Sequence, residues 1–309
     1  MVLQFAKLNG LGNDFVMVDD REEKISLTEE DARKLCDRHF GIGADGVILV
    51  RPPKHEGCAA YMHYINSDGT LAQMCGNGVR CFAKFLVDRG IVDPESGSFV
   101  ADTLAGPRPI TFNVDDAGKL VDATVDMGSP ILDPAAVPVA CPANAETADG
   151  VPFAREAELS SPWGPFAFTF VSMGNPHAVT FVDDWGKIAD ELFSDPADKS
   201  LETLDLNKIG AYFESHEAFP EKANIEFAVI EDDGISMRVF ERGCGETLAC
   251  GTGACATSVA ATLTGRCGRE NDVKLRGGVL HIKWNEDNRV MMTGAAAQSF
   301  EGSVDVALL

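Results

Sequence analysis

Two ordered pairs of motifs occur twice along this chain, and no other feature restricts its fold as strongly. GNDFVMVDD at 12–20 is followed by CGNG at 75–78, and GNPHAVTFVDD at 174–184 is followed by CGTG at 250–253. In each half a Gly-Asn turn leads into an apolar strand pattern, and later a Cys-Gly-x-Gly turn opens a helical one. The repeat predicts two similar domains, with equivalent elements face to face about a pseudo-twofold axis and a cleft between them. The length of 309 residues agrees, because domains of about 100–150 residues are commonest.

Short apolar runs at 15–18, 47–50, 59–65, 110–114, 166–171, 225–230, 235–240 and 279–284 predict strands. Helical spacing appears at Ala32, Leu35, Cys36 and Phe40, where Thr28 and Asp31 form a cap-like opening. It appears again at Val79, Phe82, Ala83 and Leu86, closed by Arg89 and Gly90, and at Cys255, Val259, Thr262 and Leu263, closed by Gly265 and Arg266. The predicted class is α+β with few helices. Prolines 130, 134, 138, 142, 152, 162 and 165 suit a connecting segment or surface excursion, so the boundary is expected near its start, giving domains 1–128 and 129–296.

No apolar run approaches the roughly 18 residues needed to span a bilayer, and Lys7 interrupts the stretch a signal peptide would need to keep apolar. A cytoplasmic protein is expected, without membrane association. Nine cysteines, an odd number, then read as thiols and not as a disulfide framework. The net charge of −22 argues against nucleic acid as a partner and disfavours net-anionic substrates, whereas a zwitterion escapes that repulsion.

Cys75 and Cys250 each stand immediately before glycines that begin a helix. Unsatisfied N–H groups and the helix dipole there favour a thiolate, and Gly76, Gly78, Gly251 and Gly253 let the backbone approach a ligand. Inverting a carbon centre takes a proton from one face and returns one to the other, so it needs an acid and a base on opposite sides. A pseudo-twofold pair of cysteines supplies both. Charge arising on a carboxylate beside the carbanion would be held by the helix-terminal N–H groups as preorganised donors, with no pyridoxal cofactor and no metal required.

KLNGLGNDFVMVD (7–19), RHFGIGADG (38–46), NSDGTLAQMCGNGVRC (66–81), SMGNPHAV (172–179), NIEF (224–227) and ERGCGETLACGTGACA (241–256) resemble, in order, the motifs of diaminopimelate epimerases. The resemblance implies two pseudosymmetric domains, each a strand-rich sheet wrapped around a central helix, with 297–309 returning to the first and the active site in the cleft. It implies interconversion of LL- and meso-diaminopimelate in lysine and peptidoglycan precursor biosynthesis, and a homodimer. Residue by residue, Cys75 and Cys250 match the catalytic acid/base pair, and Gly76, Asn77, Gly251 and Thr252 match the N–H groups that hold the reacting carboxylate. His177 and Glu241 match polar residues that orient the amine and the thiols. Asn13, Asn66, Asn175, Asn224 and Arg242 match the substrate-binding set, Arg242 having the forked donors suited to a distal carboxylate. Asn9 replaces a frequent histidine, Ser67 a frequent alanine, and the proline-rich stretch is longer than usual.

Proline racemases and hydroxyproline epimerases pair two cysteines on a similar fold, but Asn77, the run from Glu241 to Gly243 and the GNDF motif favour diaminopimelate. GIGADG (41–46) and GTGACA (251–256) fit dinucleotide-binding patterns, yet neither has the strand–turn–helix order that chemistry needs. A zinc or redox reading lacks any C-x-x-C pair.

Overall fold

The computed structural model describes residues 1–72 and 75–309; Gln73 and Met74, part of the motif at 66–81, lie outside the described residues. The chain divides into two compact units, Met1–Asp126 with Thr293–Leu309, and Met127–Met292.

In the first unit β1 (Val2–Gly10) turns tightly into β2 (Asn13–Asp19). Both turn residues, Leu11 and Gly12, have positive φ (60° and 88°), the combination a two-residue hairpin of this hand requires. Helix α1 (Glu29–Cys36) carries the chain to β3 (Gly46–Arg51), parallel to β2, and β4 (Ala60–Asn66) returns antiparallel. Helix α2 (Gly76–Asp88) then crosses to β5 (Ser98–Asp102), parallel to β4, and β6 (Arg108–Val114) and β7 (Leu120–Asp126) complete a meander. The C-terminal strand Ala297–Asp305 pairs antiparallel with β1.

The second unit opens with a small hairpin, β8 (Ala145–Glu146) and β9 (Pro152–Phe153), and with β10 (Ala157–Leu159), which joins β11 (Phe166–Ser172). From there the first unit's order recurs. β11 pairs antiparallel with β12 (Pro176–Phe181); α3 (Leu206–Glu214) crosses to β13 (Asn224–Glu231), parallel to β12; β14 (Gly234–Glu241) returns antiparallel with β15 (Gly245–Thr247) beside it. Helix α4 (Gly251–Leu263) crosses to β16 (Glu270–Leu275), parallel to β14, and β17 (Gly278–Trp284) is antiparallel to it. The chain leaves along β18 (Val290–Ala295) and ends in β19, the strand already placed on β1. Both units thus run antiparallel, parallel, antiparallel, parallel, antiparallel, with a helix at each parallel step, as a parallel pairing needs a crossover.

The second crossover helix of each unit is the buried one. Most of α2 and α4 is inaccessible, so neither has the polar face of a surface helix. In α4 the packing is made by Ala, Gly, Ser and Thr, small enough for strands to approach on several sides. Around α3, Phe166, Phe168 and Phe227 meet Phe213 or one another edge-to-face at 4.8–5.8 Å, each fully buried ring contributing about 1.5–3 kcal/mol.

Most predicted strands and three helices form where the spacing put them, with Thr28 and Asp31 making a full capping box. Three points differ. Phe40 lies beyond the end of α1 and is 84% exposed. Helix α3 was not anticipated: its pattern of Leu206, Ile209 and Phe213 is short, and Gly210 weakens it. That glycine is there for packing, because a Cβ would stand 2.5 Å from the Cβ of Phe240. The proline-rich segment is not a mere surface excursion, since Val137, Val139, Ala154 and Leu159 are buried in the second unit's core.

Candidate active site

Cys75 is the N-cap of α2, with extended φ/ψ (−140°, 120°). Its Sγ donates to Asn13 Oδ1 at 3.6 Å, and Asn77 Nδ2 donates to the same oxygen at 3.3 Å. Asn13 is held from behind, its Nδ2 donating to Asp45 Oδ2 at 2.6 Å. Arg38 joins Asp45 to Asp14 at 2.7 and 2.8 Å, and the buried Lys7 reaches Asp14 at 2.7 Å. Fully buried Arg80 donates to Asn77 Oδ1 at 3.1 Å. The Gly-Asn turn is therefore the tip of a charged network that fixes the amide facing the thiol.

Burial alone would raise the Asp14 carboxyl, but hydrogen bonds and charge from Arg38 and Lys7 outweigh it and hold it at about 2, below the ordinary 3.8. A depressed folded-state value contributes stability above the unfolded value, and that contribution is lost as pH falls toward 2. We expect the urea midpoint of the wild type to fall more steeply between pH 4 and pH 2 than that of Asp14→Asn; parallel acid limbs would show that Asp14 is not ionically held.

Cys250 is the matching N-cap of α4 (−119°, 109°) and is buried. Gly253 N–H donates to its Sγ at 3.4 Å, and Thr252 Oγ1 lies 3.4 Å away. Burial, followed by the carboxylates of Glu241 and Glu226, nevertheless pushes this thiol well above its usual range. The helix terminus by itself favours a thiolate, as expected from sequence; at Cys250 desolvation and two acidic neighbours prevail. Behind it, His177 is fully buried between Glu226 Oε1, 2.6 Å from Nδ1, and Asn175 Oδ1, 3.1 Å from Nε2. Thr247 donates to Glu241. Asn224 donates to the Pro176 carbonyl at 2.9 Å and accepts the Arg242 N–H at 2.9 Å.

A model of the family described as diaminopimelate epimerase matches residues 5–132 and 169–298. The diaminopimelate epimerase of Methanococcus maripaludis strain C5 is 43% identical over 306 residues, covering 98% of this chain and all of that protein. That of Synechococcus elongatus is 44% identical over 311 residues, covering 99% and 100%. The chain belongs to the diaminopimelate epimerase family. Solved structures extend the likeness in fold alone. A hydroxyproline epimerase from Agrobacterium vitis with bound trans-4-hydroxy-L-proline superposes with a TM-score of 0.67 at 15% identity, covering 98% of this chain and 91% of that one. A PhzF-family phenazine biosynthesis protein from Bacillus anthracis gives 0.63 at 16%, covering 99% of each.

Of the residues matched to the diaminopimelate epimerase motifs, the first unit gathers Asn13, Cys75, Gly76 and Asn77 at one helix end. Asn66 ends β4 and donates to Thr70 Oγ1 at 3.0 Å. The second unit gathers Asn175 and His177 on one side of β13 and Glu241, Cys250, Gly251 and Thr252 on the α4 side. Arg242 is exposed and donates from Nη1 to the Glu221 carbonyl at 3.0 Å. The N–H groups of residues 76, 77, 251 and 252 belong to first turns, where helix geometry supplies no carbonyl. No disulfide joins any of the nine cysteines, Cys244 included. No helix among the described residues is long and apolar enough to cross a membrane.

Glu226, within the NIEF motif, is not among the residues that the motif resemblance singles out. The signal was present as a lone carboxylate within the apolar run 225–230, a residue type almost never fully buried unless paired.

Proposed function

We propose that this chain interconverts LL- and meso-diaminopimelate, with Cys75 and Cys250 as acid and base on opposite faces of one Cα. The observation that carries the reading is the placement of the two thiols at equivalent N-caps of α2 and α4, in two units of the same topology. In this reading one thiolate removes the Cα proton and the other thiol delivers its own. The electron pair left on Cα delocalises into the carboxylate, whose oxygens take the first-turn N–H groups of Gly76, Asn77, Gly251 and Thr252 as preorganised donors. Asn13, Asn66, Asn175, Asn224 and Glu241 bind the polar ends of the substrate, and the Arg242 fork receives the distal carboxylate. The pathway role in lysine and cell-wall precursor synthesis follows from this activity. Against the proline racemase alternative stand the 43–44% identities to diaminopimelate epimerases.

Turnover in heavy water tests both substrate and mechanism. With LL-diaminopimelate we expect early product to carry one deuterium at the inverted carbon while recovered substrate stays largely unlabelled, because the delivering thiol has exchanged with solvent and the abstracting one returns its proton slowly. Turnover of L-proline and not diaminopimelate would overturn the substrate. Product that retains the substrate's own proton would overturn the two-base step.

A further inference from the structure

The internal repeat supplies its own control for the second unit's polar interior. In the first unit Phe15 pairs with Gly46 across β2 and β3, and Ile48 lies two residues beyond Gly46. In the second, His177 pairs with Asn224 across β12 and β13, and Glu226 lies two residues beyond Asn224. His177 thus occupies the place of Phe15, and Glu226 the place of Ile48. The helix contacts agree. A Cβ on Gly78, third in α2, would meet Ile48 at 3.4 Å and Phe15 at 3.5 Å, whereas one on Gly253, third in α4, would meet Glu226 Oε1 at 2.9 Å. An aromatic–aliphatic pair therefore satisfies this fold, and a buried ionisable pair costs desolvation that an apolar pair does not.

The polar pair sits against the thiol. Cys250 Sγ lies 3.3 Å from the same Gly253 Cβ position that Glu226 Oε1 approaches to 2.9 Å. Glu226 is fully buried, and its second oxygen has no hydrogen-bond partner among the described residues, a costly arrangement for a side chain that only fills space. The His177 Nε2 contact with Asn175 Oδ1 requires an N–H there, which leaves a single proton between Nδ1 and Glu226. Asn175 thereby fixes the Nε2–H, and Glu226, sharing the other proton with Nδ1, fixes the orientation of the ring.

We propose that Glu226 is a positioning residue: it locks His177 against Asn175 and holds that pair against the Cys250 thiol. This rests on the two-thiol reading above. Burial, then Glu241 on β14 and Glu226 on β13, push the Cys250 thiol up, and His177 on β12 faces Glu226.

The test is alkylation of the full chain by iodoacetamide across pH, each cysteine followed by peptide mass spectrometry, beside steady-state kinetics. In Glu226→Gln, which preserves shape and a hydrogen bond to Nδ1, we expect the Cys250 alkylation midpoint to fall by about one pH unit. The Cys75 midpoint should stay in place, kcat should drop about 10- to 100-fold with KM changed far less, and Glu226→Asp should recover part of the loss. Should Glu226→Gln fail to fold, the double variant His177→Phe with Glu226→Ile installs the first unit's own pair; it should fold, lower the Cys250 midpoint and lose turnover. An unchanged Cys250 midpoint, or wild-type kcat in the double variant, would overturn the proposal. Alkylation needs no substrate, so a shifted midpoint in a chain that fails to turn over diaminopimelate would refute the reaction and leave Glu226's role standing.

Discussion

Cys75→Ala and Cys250→Ala should each reduce epimerisation by on the order of 10³-fold or more, since general acid–base groups supply about 10²–10⁴-fold and in the proposed reaction each is the sole proton carrier on its face. The fold should survive. Cys75 is half-buried, and Cys250, though buried, is a small side chain at a helix cap whose backbone geometry alanine can adopt. The double variant should be scarcely slower than either single one, because both thiols serve one proton-transfer event and such losses do not add. Circular dichroism and melting temperature check the fold, and a stereospecific assay checks the rate. Turnover within tenfold of wild type in either single variant would remove the two-thiol assignment.

Gly253→Ala should damage the chain more than the equivalent change in the first unit's helix. Its Cβ would stand 2.9 Å from Glu226 Oε1 and 3.3 Å from Cys250 Sγ, and neither neighbour has room to yield, one being packed against His177 and the other being the cap itself. Overpacking of this kind costs about 1–3 kcal/mol, roughly 2–4 °C of melting temperature per kcal/mol for a domain near this size. Displacing the thiol by even about 1 Å costs about 10²-fold in rate. The equivalent Gly78→Ala meets the flexible tip of Met62 at 3.0 Å and should be milder, and Gly268→Ala, with nothing within 4 Å, should be silent. Equal losses at 253 and 78 would mean that the second unit's cap is no more constrained than the first's.

The repeat, the class and the two cysteines at helix starts were legible in the amino-acid order because each depends on local rules. Cys-Gly-x-Gly starts a helix at both places it stands in this chain. The Gly-Asn turns need positive φ at Gly12 and Gly174, 88° and 97°, and alternating apolar runs make strands in any context. Helix α3 escaped because its glycine serves a contact with Phe240, about 30 residues away in sequence, and Phe40 misled because its spacing continued a pattern that the chain itself ended at Asp37.

What tertiary structure alone decided is the surroundings of the second thiol. A helix N-terminus lowers a thiol's pKa, and from sequence Cys75 and Cys250 were equals in that respect. Folding brings Glu226 from β13 and Glu241 from β14 to Cys250 and takes that sulfur out of water, while the places equivalent to His177 and Glu226 in the first unit hold Phe15 and Ile48. Solvation and charge depend on which groups end up within a few ångströms of one another, and strand register sets that. The sequence by itself determined that there are two thiols at two like helix ends; only the packing of β12, β13 and β14 around α4 placed Glu226 and Glu241 about Cys250.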